Sequence, residues 1–251
     1  MLKELLERFR QGYRTMPYPQ DSPPLPDRYL GLPVMSPGTC RSNCQRCSEV
    51  CPTGALTLSG TRPALDLGQC LFCGECARSC PEQALQFTRD HRLATWTREE
   101  LILREGAPLA KGQRDDRRFR LFRRSLKLRQ VSAGGCNACE ADINVLSTLS
   151  FDLGRFGIQI VASPRHADGL VVTGPVTKNM ALALEKTYRA IPPPRLVIAV
   201  GSCAISGGPF ADHQEVHNGC GALLPVDLWI PGCPPHPLTI LDGLLKIQGR
   251  S

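Results

Sequence analysis

Two cysteine runs that echo one another constrain this chain more than any other feature. The downstream run reads Cys70-x2-Cys73-x2-Cys76-x3-Cys80-Pro81, and the upstream run reads Cys40-x3-Cys44-x2-Cys47-x3-Cys51-Pro52. The echo continues past the cysteines, with Pro52-Thr53-Gly54-Ala55-Leu56 answered by Pro81-Glu82-Gln83-Ala84-Leu85. The downstream spacing is that of a cubane iron–sulfur site, without a departure. A cubane needs four soft thiolates at its corners, and short spacings wrap backbone N–H groups around the sulfur atoms. In paired runs of this kind the fourth cysteine crosses to the other cluster. That assigns Cys40, Cys44, Cys47 and Cys80 to one 4Fe–4S cluster, and Cys51, Cys70, Cys73 and Cys76 to a second. Zinc sites pair two Cys-x2-Cys units across a longer gap and do not end in Cys-Pro. The upstream run has three residues between Cys40 and Cys44, so its loop is longer, and its cluster is expected either to have an altered potential or to be lost easily.

Four more cysteines lie where an α/β sheet would place a site. Cys136 and Cys139 follow the alternating stretch 126–131 and precede a helical one. Cys203 follows the apolar run Leu196-Val197-Ile198-Ala199-Val200, and Cys233 follows Val226-Asp227-Leu228-Trp229-Ile230. Open α/β sheets bind at the carboxyl ends of their strands, so these four cysteines can converge on one centre. Strands are predicted at 126–131, 158–162, 169–173, 196–200 and 226–230, and helices at 140–150, 177–190 and 236–248. Thr177 is expected to cap its helix through the hydroxyl. Strand–helix alternation with short connections predicts an α/β domain with a mostly parallel sheet, and its order fits a flavodoxin-like topology.

Thirteen cysteines in 251 residues are too many for a chain without metals. No apolar run reaches transmembrane length, and Met1 to Tyr13 is charged and amphipathic rather than a signal peptide. Without export, disulfides are not expected and metal ligation gains weight. The net charge of +7 resides in one stretch, because Lys111 to Gln130 holds nine Lys or Arg and two Asp. That stretch reads either as a solvated linker or as a surface for an acidic protein or lipid. No nucleic-acid-binding motif stands beside it, so nucleic acid is not an expected partner. The division predicted is an N-terminal arm at 1–29, a two-cluster domain at 30–96, a basic linker at 97–125 and an α/β domain at 126–251. The arm combines a short amphipathic helix (Leu2, Leu5, Leu6, Phe9) with a Pro-rich stretch, lying across a neighbour or on its own domain. Residues 97–105 read as a further helix, and Gly106 to Arg124 as too charged to bury.

Residues 1–105 resemble the ferredoxin subunit of formate-hydrogenlyase-type complexes, itself similar to the two-cluster subunit of complex I. Tyr18-Pro19, Gly68-Gln69-Cys70, Phe72-Cys73-Gly74, Leu93-Ala94-Thr95-Trp96 and Glu99-Glu100-Leu101 carry that resemblance. It implies an α+β, pseudo-twofold ferredoxin domain that passes single electrons. The second domain resembles the small subunit of group 4 membrane-bound NiFe hydrogenases, a family homologous to the 20 kDa subunit of complex I. The matching stretches are Gly135-Cys136-Asn137-Ala138-Cys139-Glu140, Asp152 to Ile158, Ser163 to Asp168, Thr173 to Thr177, Gly201 to Ala204 and Pro225 to Pro235.

By resemblance, Cys136, Cys139, Cys203 and Cys233 hold a third, proximal 4Fe–4S cluster. The chain is then a fusion whose three clusters lead to a NiFe centre on a separate large subunit. The implied partners are that large subunit, integral membrane subunits, and a donor such as a ferredoxin or a formate or CO dehydrogenase module. The implied location is the cytoplasmic face of the membrane, as a peripheral protein. The quinone-reducing branch has adjacent cysteines where this chain has Cys136-x2-Cys139, the hydrogenase spacing. A quinone- or sulfur-reducing complex is the alternative. Glu140 reads as a helix-terminal acid or as a proton-path residue. Arg165 and His166 read as interface residues, Cys220 as a free thiol, and His91, His213, His217 and His236 show no ligand spacing.

Overall fold

A computed structural model describes residues 2–21, 23–36, 38, 40, 44–59, 62–109, 112 and 116–250. The N-terminal helix α1 (Leu2–Gln11) buries no residue, and Leu2, Leu5, Leu6 and Phe9 all stay exposed. The chain then crosses its own C-terminal domain, where Tyr18 is buried, before strand β1 (Pro33–Met35). Helix α2 (Arg46–Glu49), strands β2 (Leu56–Ser59) and β3 (Arg62–Asp66), helix α3 (Glu75–Arg78) and strand β4 (Leu85–Phe87) follow. Cys47 and Cys76 occupy the same place in α2 and α3, so the sequence repeat is also a structural one. β1 pairs antiparallel with β4, and β2 pairs antiparallel with β3.

The segment read as a linker is part of the fold. Its first stretch, predicted helical, is a short 3-10 turn at Glu99–Leu101 leading into strand β5 (Ile102–Arg104), which pairs antiparallel with β3. Of the next stretch, 110, 111 and 113–115 lie outside the described residues. Helix α4 (Arg117–Leu121) is not a solvated run, because Phe119 and Phe122 fall on one helical face and both are buried. Asp116 caps α4 by accepting from Arg118 N at 2.9 Å. The Arg118 guanidinium reaches Asp227 at 2.7 Å and ties the helix to the sheet.

The C-terminal sheet contains β6 (Leu126–Ser132), β7 (Ile158–Ile160), β8 (Gly169–Thr173), β9 (Leu196–Val200) and β10 (Leu228–Ile230). All pairings are parallel and the order is β10-β9-β8-β6-β7, a flavodoxin-like order. β8 and β9 are buried at every position, as strands covered on both faces must be. Alternate side chains serve two cores. Leu170, Val172, Val197 and Ala199 face the core shared with α6 (Lys178–Ala190) and α7 (Ser202–Ser206). Val171, Leu196, Ile198 and Val200 face the core of α5 (Ala138–Val145) and α8 (Pro237–Gln248). Thr177 occupies the N-cap of α6 but makes no side-chain cap bond, against expectation, because its side chain packs over Gly134.

Helix α8 is buried along its whole length, so its polar side chains need partners. Asp242 accepts from the Tyr18 hydroxyl at 2.8 Å, and His91 Nε2 lies 3.1 Å from that same hydroxyl. Lys246 donates to Ala94 O at 2.9 Å, and its ammonium lies 5.4 Å from the Trp96 ring centroid. Gln248 donates to Phe156 O at 3.0 Å and Phe122 O at 3.3 Å. The arm, the end of the two-cluster domain and the basic segment are thereby fixed to one helix. Trp96 also stacks on Phe119 with centroids 4.9 Å apart and donates to Gly112 O at 2.7 Å. Trp96→Ala is expected to lose about 3–5 kcal/mol of stability, the range for truncating a buried aromatic. Arg123→Ala, on the exposed side, should stay within about 0.5 kcal/mol. Denaturant unfolding followed by circular dichroism under anaerobic conditions distinguishes the two.

Candidate functional site

Three strand ends bring the downstream cysteines together. Cys136 lies in the turn after β6, and Cys139 in the first turn of α5, beyond Asn137 in left-handed backbone at φ 70°. Cys203 opens α7 directly after β9, and Cys233 lies in the turn after β10. β8 brings no cysteine. Its last residue, Thr173, donates at 2.6 Å to Oε1 of Glu140, which is buried beside Cys139. Gly201 makes the approach of β9 feasible. Its φ is +91°, and a Cβ there would stand 2.6 Å from Cys139 Sγ.

Neighbouring thiols contribute to the raised pKa values of several cysteines. Burial raises the Cys139 thiol above its ordinary range, with Glu140, Cys203, Cys233 and Cys136 adding to the effect. Burial pushes Cys203 up to about 11, with Cys233, Cys136 and Glu140 contributing. Cys233 is raised by burial and then by Cys136.

In the first domain, burial pushes Cys70 up to about 12, opposed by the Phe72 N–H and aided by Cys76, Cys51 and Cys73. Cys76 rises to about 11 by burial, opposed by the Ala77 N–H and aided by Cys51, Cys73 and Cys47. Cys47 is raised by burial and by Cys40, Cys80 and Cys44, and Cys40 by burial, Cys44, Cys80 and Glu105. Cys51 contributes to the shifts of Cys70 and Cys76, and Cys80 to those of Cys47 and Cys40. Cys76 and Cys47 mark where the two sets approach. The loop residues 41–43 between Cys40 and Cys44 lie outside the described residues.

The residues fit iron–sulfur groups. Each set is all sulfur, and a soft all-thiol set selects iron–sulfur or zinc. Backbone N–H groups point at sulfur, with Phe72 N 3.3 Å from Cys70 Sγ and Ala84 N 3.3 Å from Cys80 Sγ. Such donors stabilise thiolate and sulfide charge. Among the described residues no three His, Cys, Asp or Glu side chains close on a single metal ion; a cubane spans wider than one ion. The raised thiols stay protonated until iron displaces the proton.

Outside the sets, Cys220 is a fully buried free thiol pushed up to about 12 by burial. Arg165 and His166 are exposed on a 3-10 turn. His91 bonds Tyr18, and His236 caps α8 by accepting from Leu238 N at 3.2 Å. The sequence reading missed Ser202, Thr173 and Gly201. Only Gly201 left a signal, as a glycine between an apolar strand and a cysteine.

Residues 136–247 match the family described as NADH ubiquinone oxidoreductase, 20 Kd subunit, and residues 39–85 match the 4Fe-4S dicluster domain. An NADH-quinone oxidoreductase subunit of Heliobacterium modesticaldum is 40% identical over 119 residues, 47% of this chain and 68% of that protein. The "Probable membrane-bound hydrogenase subunit mbhJ" of Pyrococcus furiosus is 41% identical over 115 residues, 46% of this chain and 69% of that protein. Formate hydrogenlyase subunit 7 of Escherichia coli is 44% identical over 130 residues, 51% of this chain, and the chain spans only 50% of its length.

If Cys136, Cys139, Cys203 and Cys233 hold a cluster, Gly201→Ala is expected to remove that cluster alone. Iron should fall from about twelve to about eight atoms per chain, with the signals of the first domain retained. Iron analysis and low-temperature EPR of the reduced protein check this.

Proposed function

Because this chain belongs to the family of the 20 Kd subunit of NADH ubiquinone oxidoreductase, we propose that it is the electron-transfer subunit of a membrane-associated NiFe hydrogenase complex. The observation that carries the reading is the four-thiol set Cys136, Cys139, Cys203 and Cys233 at the carboxyl ends of β6, β9 and β10, with its first pair spaced rather than adjacent. Relatives named as hydrogenase and formate hydrogenlyase subunits support the same direction.

In this reading Cys40, Cys44, Cys47 and Cys80 hold one 4Fe–4S cluster, Cys51, Cys70, Cys73 and Cys76 a second, and Cys136, Cys139, Cys203 and Cys233 a third. The two cysteine runs form the halves of a pseudo-twofold ferredoxin domain. Bound clusters supply one-electron oxidation and reduction. The chain's own residues bury Cys70, Cys76, Cys139 and Cys203, leave Cys73, Cys136 and Cys233 exposed, and hold the two domains in register. Glu140, held by Thr173 next to Cys139, is the candidate for moving protons near the third set. Nickel sits on a separate large subunit, where protons and H2 interconvert. A ferredoxin or a formate or CO dehydrogenase module exchanges electrons with residues 30–96.

No helix of the described residues is long and apolar enough to cross a membrane. Attachment at the cytoplasmic face therefore runs through integral membrane subunits. The uncovered apolar face of α1 and the exposed Arg117, Arg123 and Arg124 are its free surfaces for neighbours.

The test is anaerobic purification of the tagged chain with its native partners, assayed for iron, acid-labile sulfide, nickel and H2 evolution from dithionite. About twelve Fe per chain, nickel in the co-purified large subunit and H2 evolution are expected. An intact large subunit without nickel, beside the same iron, would overturn the hydrogenase assignment in favour of a quinone- or sulfur-reducing complex.

A further inference from the structure

The two cluster-bearing domains meet through main-chain atoms next to ligand cysteines. Ser202 is 1% exposed and precedes Cys203. Its Oγ lies 2.9 Å from the carbonyl oxygen of Cys70 and 2.9 Å from that of Gly232, which precedes Cys233. Ser202 N also donates to Gly232 O at 2.8 Å. One turn later, Ser206 Oγ donates to Gly68 O at 2.9 Å. The fit is tight, since a Cβ on Gly68 would stand 2.6 Å from the Ile205 side chain. Thr95 bridges Trp229 through backbone bonds of 3.0 and 2.9 Å, extending the same seam along β10.

We propose that the Ser202 hydroxyl is a positioning residue for electron exchange between the domains, holding the Cys70 main chain against the Cys203 and Cys233 turns. The proposal rests on the three-cluster assignment above. Its content is that a single buried hydroxyl touches the backbone of one ligand of the Cys51/Cys70/Cys73/Cys76 set and flanks two ligands of the third set. One hydroxyl proton serves two carbonyls, so the contact is directional and a methyl group cannot replace it. The exchange is a one-electron step in which one side is oxidised as the other is reduced, with no bond made or broken. In Ser202→Ala the buried Cys70 carbonyl loses its side-chain donor while Gly232 O keeps the Ser202 N–H, which lets the Cys70 turn shift away from α7.

The test uses the full chain with its clusters in place. In the wild type, pulsed EPR of the reduced protein should rank the Cys70-side cluster, identified through Cys73→Ser, nearest to the third cluster. Ser202→Ala should keep the iron content and all cluster signals. After photoreduction of the first domain, however, its electron should reach the third cluster about tenfold more slowly by freeze-quench EPR, the scale of one lost hydrogen bond. Ser202→Thr should restore the wild-type rate. Ser206→Ala, which removes a docking bond that does not touch Cys70, should leave the rate within about twofold of wild type.

An unchanged rate in Ser202→Ala with full iron would overturn the proposal while leaving the three-cluster reading intact. The same holds if the Cys40-side cluster ranks nearest in the wild type, a result that needs no variant to fold. A wild-type chain without a third signal would overturn the three-cluster reading itself.

Discussion

Gathering sulfur donors at partly buried turns is the constraint from which the rest of this structure follows. A lone buried thiol such as Cys220 is stable as a neutral group, pushed up to about 12 by burial alone. Cys139 and Cys203 differ, because neighbouring thiols and Glu140 add to the effect of burial. Four thiolates in one such place would carry uncompensated like charge at a cost of several kcal/mol each. Metal binding removes that conflict by trading protons for iron. The scaffold must then present the four sulfurs before the metal arrives, without spending stability on their charge. Loops at the carboxyl ends of parallel strands do this, because the strands are fixed by ladders and two apolar cores that contain none of Cys136, Cys139, Cys203 and Cys233.

The second dependence is on α8. A helix buried on every side would be expected to be wholly apolar, yet it carries Asp242, Lys246 and Gln248. Burial raises the Asp242 carboxyl and lowers the Lys246 ammonium, so both sit where charge is disfavoured. Each is anchored by a segment from elsewhere: Asp242 by Tyr18 of the arm, Lys246 by Ala94 O, and the Gln248 amide nitrogen by the carbonyls of Phe122 and Phe156, while Gln248 Oε1 is buried without a hydrogen bond. Partners so specific in direction select one arrangement of the segments, which apolar contacts alone would not do.

How much of this was legible in the sequence follows from the physics of each signal. The dicluster domain was legible because ligand chemistry fixes spacing, and its two runs form a repeat visible by eye. β8 and β9 were legible to the residue, being short, largely apolar runs rich in β-branched residues and buried at every position. α7 was not, because five residues give no helical period, and Ser202 then looks like any serine in a turn. The linker was misread because net charge over a window hides phase. Phe119 and Phe122 lie three apart, and the arginines between and around them occupy the other side of the helix. The Thr177 hydroxyl carried a valid local rule that tertiary packing overrode, since its side chain fills the space above Gly134.

The rigid junction changes what joining the two domains in one chain accomplishes. A flexible tether would raise effective concentration and leave geometry to chance encounters. Here Thr95 extends the edge of β10, Ser202 and Ser206 grip the Gly68–Cys70 turn, and Arg118 ties the connecting helix to Asp227. The core around Leu65, Leu67 and Cys70 runs without interruption into that of Ile205, Val172 and Ala199. Domain interfaces within a chain ordinarily permit motion unless they are large and apolar. This one shares its core and adds buried directional bonds at the ligand turns themselves. The spacing between the donor sets is therefore a property of the fold, built from the same contacts that keep the chain folded.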